Sequence, residues 1–248
     1  EFREYELTGD VKKRQESEYW KSIEFSLFHK VAVSYYPSYV EEEAIHAVGE
    51  TIPVKAITAY VYEEFLQNLN KDFAKREGLL FVGGFAHPPN ADAVLWFAKE
   101  VFPKIREQIK VNFYIVGSKV TDEIKALEQP GNGIIVKGFV SEEELADLYR
   151  NCRIVVVPLR YGAGVKGKVV EAIYNGAPIV TTSVGSEGIP EVEKVLLVKD
   201  QPDEFAETVV ELYKDEKRLE DLAEKTQVYI RGRFSIDAAW DVIKEDFE

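Results

Sequence analysis

The 248 residues carry 44 Asp and Glu against 31 Lys and Arg, a formal net charge of -13. The chain therefore lacks the positive surplus with which sequence-independent binders neutralise nucleic-acid phosphates, and no nucleic-acid partner is expected. With 46% hydrophobic and 30% charged residues, the composition is that of a globular protein holding one large domain, or one domain and part of another.

No apolar run approaches the roughly 18 residues of a membrane span, and the first residues do not form a basic, apolar leader. A cytoplasmic protein is expected, peripheral to a membrane only through a missing amino-terminal domain. The single Cys152 leaves no internal disulfide and no CxxC metal pair. Just ahead of an apolar run, it reads as an inert core thiol. The absence of methionine, initiator included, is expected of a piece of a longer polypeptide, or of a sequence written without its methionine positions.

In chain order, residues 1–75 read as the remnant of an amino-terminal acceptor domain, ending in a linker over about 60–75. Tyr19, Trp20, Ile23, Leu27 and Phe28 recur at helical spacing, Val31 to Ser34 suit a short strand, and Val40 to Val48 a short helix. Glu41 to Glu43 would be solvated at that helix's positive end. One strand between two helices cannot close its own sheet. His29 and His46 have no partner motif and read as structural or solvent-facing.

Residues 76–230 are regular. Apolar runs at Leu79 to Val82, Val111 to Val116, Ile134 to Val136, Ile154 to Leu159, Ile179 to Thr182 and Val195 to Val198 alternate with amphipathic stretches. Short, Val- and Ile-rich and apolar on both faces, they predict the parallel strands of a doubly wound α/β sheet. Ser141 with Glu144 forms a capping box, Thr121 with Asp122 and Glu123 suits another helix start, and Gly176 and Pro178 stop the helix beginning near Lys168. Residues 231–248 predict a carboxyl-terminal helix with Trp240 and Ile243, packing back toward the amino-terminal segment.

The stretch "IVVVPLRYGAGVKGKVVEAIYNG" (154–176) runs from a strand through a glycine loop into a helix. Unpaired N–H groups and the positive dipole end of such a helix stabilise an anion, and Lys166 and Lys168 add two cations there. Three phosphate sites share features with this loop. A Walker P-loop needs Ser or Thr after its lysine to hold magnesium, and Val169 stands there. A dinucleotide fingerprint would use Gly162, Gly164 and Gly167, with Glu187 about 20 residues on as the ribose acid, but it belongs to the first strand of its sheet and this loop follows the fourth. A nucleoside diphosphate uses Glu171, one turn beyond Lys168, to accept from two ribose hydroxyls while the loop holds the diphosphate.

Taken together, "FVGGFAHPPNADAVLWF", "GFVSEEELADLYRNCRIVVVPL" and "GVKGKVVEAIYNGAPIVTTSVGSEGIP" resemble the carboxyl-terminal, donor-binding domain of group-one (family four) retaining glycosyltransferases of the GT-B fold, over roughly residues 75–245. The resemblance implies a Rossmann-like domain that transfers a sugar from a UDP- or GDP-linked donor with retention and without metal or cofactor, as in polysaccharide biosynthesis. It implies that Glu171 binds the ribose, that Val165 to Lys168, with Gly164, lie along the diphosphate, and that the backbone near Phe139 and Val140 meets the base. Lys166 and Lys168 would be catalytic through their charge. The acceptor would be a glycan, a lipid-linked sugar or a protein.

Two departures stand out. Ala163 occupies a position where many relatives carry a second glutamate. The loop "GGFAHPPN" lacks their Arg or Lys, with His87 the nearest substitute; Gly83 and Gly84 complete the expected donor site. Plainer roles stay open: solvated surface charges for the lysines, a helix-face carboxylate for Glu171, a tight turn for the glycines and a water-facing turn for His87. Other functions remain open too, namely a noncatalytic nucleotide-sugar sensor, a sugar-nucleotide epimerase of the same fold, and a Rossmann dehydrogenase.

Overall fold

The computed structural model describes residues 5, 9–28, 30–49 and 51–247, in two units: Glu1–Ala59 with Ala239–Glu248, and Tyr60–Ala238. Residues 60–75, expected as a linker, thus lie in the larger unit. Among the described residues no helix is long and apolar enough to cross a membrane.

In the smaller unit, helix α1 (Val11–Phe28) precedes strand β1 (Ser34–Tyr36), helix α2 (Tyr39–His46) and strand β2 (Val54–Ala56). The strands pair in parallel, Ser34 opposite Val54, over a small core of Phe28, Ile45, Ile52 and Val54. The strand expected at 31–34 lies instead at 34–36. Its partner escapes sequence detection because Pro53 and Lys55 interrupt the apolar run. Of the predicted helical stripe only Phe28 is buried, while Tyr19, Trp20 and Leu27 are exposed.

Glu42 is not merely solvated, since its carboxylate accepts from the Ala56 N–H at 3.1 Å. His46 is structural, with Nε2 3.2 Å from the Ile52 carbonyl, whereas His29 lies outside the described residues. Near the carboxyl end, Asp246 accepts from Lys55 Nζ at 2.7 Å and from the Tyr35 hydroxyl at 2.6 Å.

The larger unit begins its sheet with β3 (Leu79–Val82), followed by α3 (Pro88–Trp96), a π-helical turn over Phe97–Val101, and α4 (Phe102–Gln108). The widened turn sits just ahead of Pro103, which lacks an N–H for the helical ladder. Next come β4 (Phe113–Val116), α5 (Asp122–Lys125), β5 (Ile134–Gly138), α6 (Glu142–Asn151), β6 (Ile154–Val157), α7 (Gly167–Tyr174), β7 (Ile179–Thr181), α8 (Ser183–Ser186) and β8 (Leu197–Val198). Helices α9 (Pro202–Lys214) and α10 (Glu216–Arg233) follow, and α11 (Ile236–Ile243) begins in this unit and ends in the residues assigned to the smaller one.

All six strands from β3 to β8 are parallel, in the order β5-β4-β3-β6-β7-β8. Every residue of β6 is buried, which is why its run reads as continuously apolar rather than alternating. The strand stops at Val157 because Pro158 has no N–H to continue the ladder. The expected start at Val195 shrinks to Leu197 because Val192–Lys194 winds as a 3-10 turn. Helix starts predicted from their caps are in place: Ser141 Oγ accepts from the Glu144 N–H at 3.2 Å and Thr121 Oγ1 from the Ile124 N–H at 3.3 Å.

Strand order reverses direction beside β3. The connections from β3 run one way to β4 and β5, then cross to β6 on its other flank. The carboxyl ends of β3 and β6 therefore frame a topological switch point, the crevice where open parallel sheets bind ligands.

Candidate functional site

Two loops open at that crevice. One follows β3 and holds Gly83 and Gly84; the other follows β6 and carries residues 158–166 to the start of α7. In the second, Gly164 has φ +73°, a left-handed conformation that side chains with a Cβ resist. A Cβ on Gly167, the first residue of α7, would lie 2.6 Å from the Tyr60 hydroxyl. Glycine there lets an aromatic residue from before the sheet press against the helix start.

Lys166 is only 9% exposed. Its ammonium donates to the Gly164 carbonyl and stands 3.4 Å from the Glu187 carboxylate, so burial of the charge is offset by a nearby anion and a carbonyl. Lys168 Nζ donates to Asn90 Oδ1 at 2.7 Å, and Asn90, itself buried, donates from Nδ2 to the Gly84 carbonyl at 2.8 Å. Asn90 thus ties the two loops together. Burial, assisted by repulsion from Lys166, lowers the Lys168 pKa to about 8.

Glu171 sits one turn further along α7, and burial raises its pKa while Tyr149 and Lys168 hold it down. The Tyr62 ring stacks on Tyr174, centroids 4.1 Å apart, and Tyr62 is pushed up to about 12 by burial and then by the Glu171 charge. Two cations, Lys166 and Lys168, and two carboxylates, Glu171 and Glu187, therefore gather at the start of α7, the end of a helix whose dipole favours an anion.

A family model described as "Glycosyl transferases group 1" matches residues 76–215, more than half of the chain. The chain belongs to the group 1 glycosyl transferases. Its matched segment spans β3 to the end of α9, both crevice loops included. A Klebsiella pneumoniae protein described as an uncharacterized 44.6 kDa protein in cps region is 33% identical over 136 residues, covering 52% of this chain and 33% of that one.

Among solved structures, TarM of S. aureus has a TM-score of 0.71 at 14% identity, over 90% of this chain and 45% of its own. HepE of Anabaena has 0.66 at 17% identity, over 89% and 64%. The pneumococcal O-GlcNAc transferase GtfA has 0.64 at 20% identity, over 88% and 45%. These likenesses establish the GT-B glycosyltransferase fold, and the chain spans a third to two thirds of the length of the proteins it resembles.

Within this group 1 glycosyl transferase, the residues singled out in the sequence are distributed unevenly. Gly83, Gly84, Gly164, Val165, Lys166, Gly167, Lys168 and Glu171 all lie on the two crevice loops or the first turns of α7. His87 occupies the N-cap of α3, exposed and without a side-chain cap hydrogen bond. Phe139 and Val140 follow β5, two strands away from β3; Phe139 is 81% exposed, and Val140 packs on the core.

Several residues of the site carry no motif. Asn90 has only its place in the first turn of a helix that follows a glycine loop as a signal. Glu187, considered solely as a ribose acid, pairs with Lys166 instead. Tyr149 and Tyr60 reach the site from α6 and from the segment ahead of β3, and no local spacing announces either. Cys152 is buried, its thiol pushed up to about 12 by burial, as suits an inert core residue.

Proposed function

We propose that this chain is the donor-binding half of a retaining, metal-independent glycosyltransferase that takes a UDP- or GDP-linked sugar. The convergence of Lys166, Lys168 and Glu171 at the switch point, wired to the β3 loop through Asn90, is the observation that carries this reading. The diphosphate lies against the N–H groups at the start of α7 and the two ammonium groups. The ribose hydroxyls donate to Glu171, and the backbone near Phe139 and Val140 meets the base at the rim.

In the transfer step the bond from the anomeric carbon to the β-phosphate oxygen breaks and its electron pair goes to that oxygen. Negative charge grows on the diphosphate, so groups fixed around it stabilise the transition state more than the ground state. The acceptor oxygen bonds to the anomeric carbon on the same face, and its proton passes to the departing phosphate. Lysines supply the positive charge that a divalent ion would otherwise bring, and no side chain acts as nucleophile. The UDP complexes named for TarM, HepE and GtfA support a uridine donor, and the cps-region relative supports a part in polysaccharide biosynthesis.

A thermal-shift screen of UDP, GDP and their sugars tests the reading, because a ligand that binds only the folded state raises stability with the logarithm of its excess over Kd. Either UDP or GDP should raise Tm, unchanged by EDTA, and Glu171→Ala and Lys168→Ala should each shrink the shift. Equal shifts in both variants and the parent would remove the basis of the assignment.

A further inference from the structure

A buried hydroxyl without a hydrogen-bond partner is costly and uncommon, and one lies beside Glu171. Tyr149 is 1% exposed, and its hydroxyl has no hydrogen-bond partner among the described residues. The ring enters from α6, whose end is pinned where Arg76 Nη2 donates to the Tyr149 carbonyl at 2.8 Å. The phenol therefore has a fixed place next to the Glu171 carboxylate. Glu171 is half-buried.

We propose that Tyr149 is the positioning residue for Glu171: when a nucleotide enters, the phenol donates to one carboxylate oxygen and aims the other at the ribose hydroxyls. This rests on the proposed function of the crevice. A carboxylate offers about four acceptor directions, and fixing one oxygen selects among them. In the free protein the hydroxyl is left unsatisfied, a cost that the bound state recovers.

The titratable and charged groups facing Glu171 are Tyr149 from α6, Lys168 on its own helix and Tyr62 from the segment ahead of β3, with Lys166 acting through Lys168. A hydrogen bond donated to the carboxylate favours its charged form. Its removal raises the Glu171 pKa in the bound state and so weakens binding, while the acid limb of binding, set by Glu171 in the free protein where the hydroxyl is unbonded, stays in place.

The test is titration of UDP, and in a second arm GDP, into the chain and its Tyr149→Phe, Glu171→Gln and doubly substituted forms between pH 5 and 8, with Tm recorded for each. Tyr149→Phe should keep or raise Tm and weaken the nucleotide about tenfold at pH 7, with the acid limb of binding unmoved. In the Glu171→Gln background it should change nothing.

A Tyr149→Phe variant with the parent's Kd overturns the inference alone, as does a fall in its Tm or a shifted acid limb, either of which would mean that the hydroxyl is already bonded. So does an equal loss of affinity in the Glu171→Gln background. If neither nucleotide binds the parent in a Glu171-dependent way, the proposed function fails first and the inference with it.

Discussion

Lys168 is a cation kept where a cation is unfavourable. Burial and the neighbouring Lys166 lower its pKa to about 8, and its side-chain hydrogen bond is to the neutral amide of Asn90. A lysine whose folded pKa lies below its unfolded value destabilises the fold while charged, and this cost fades as pH rises from about 8 toward the unfolded value. A bound diphosphate reverses the preference, because it favours the charged form. Nucleotide affinity should therefore stay level up to about pH 8 and then fall by up to about tenfold per pH unit. In Lys168→Arg the guanidinium does not titrate in this range, so calorimetric titration of UDP should find the alkaline limb gone. Its persistence in that variant would assign the limb to another group.

At the scale of elements, the end of α6 places Tyr149 and Cys152. Arg76, 2% exposed, donates from Nε to the Cys152 carbonyl and from Nη2 to the Tyr149 carbonyl, each at 2.8 Å. Burial lowers its pKa to about 10, yet it remains a cation at the negative end of a helix, where charge and carbonyls favour one another. Arg76→Leu leaves these carbonyls without their donor, and urea unfolding should report a loss of about 2–4 kcal/mol. The same variant should bind nucleotide less tightly through the displaced Tyr149.

Arg76 also marks the limit of what the sequence discloses. The strands β3 to β8 are legible because each is a short run of Val, Ile, Leu and Phe buried on both faces, and their ends follow from Pro158 and from caps such as Ser141. The glycine loop, Lys166, Lys168 and Glu171 are legible because they lie within ten residues of one another. Asn90 is 78 positions from Lys168, and Arg76 is 73 from Tyr149. Such pairs exist only once the sheet is assembled, and no local pattern encodes them. Strand β2 is hidden for the opposite reason, since three residues beside a proline carry too little periodicity to stand out.

For the whole molecule, the two units differ in how much each buries. Among the described residues the smaller has four buried core side chains and two paired strands of three residues, whereas the larger encloses a six-stranded sheet whose central strands are almost fully buried. Opening free energy follows buried apolar contact, and a two-stranded pairing contributes little by itself. Amide hydrogen exchange should therefore be orders of magnitude faster over 34–36 and 54–56 than over 79–82 and 154–157. Saturating UDP should add protection chiefly over 83–90 and 160–171, the segments that carry the crevice and are held by Asn90 and the two lysines. The buried strands are already slow and have little to gain. Protection that appeared instead around 106–112 and 128–135, at the amino ends of β4 and β5, would place the ligand on the opposite edge of the sheet and detach the crevice from nucleotide binding.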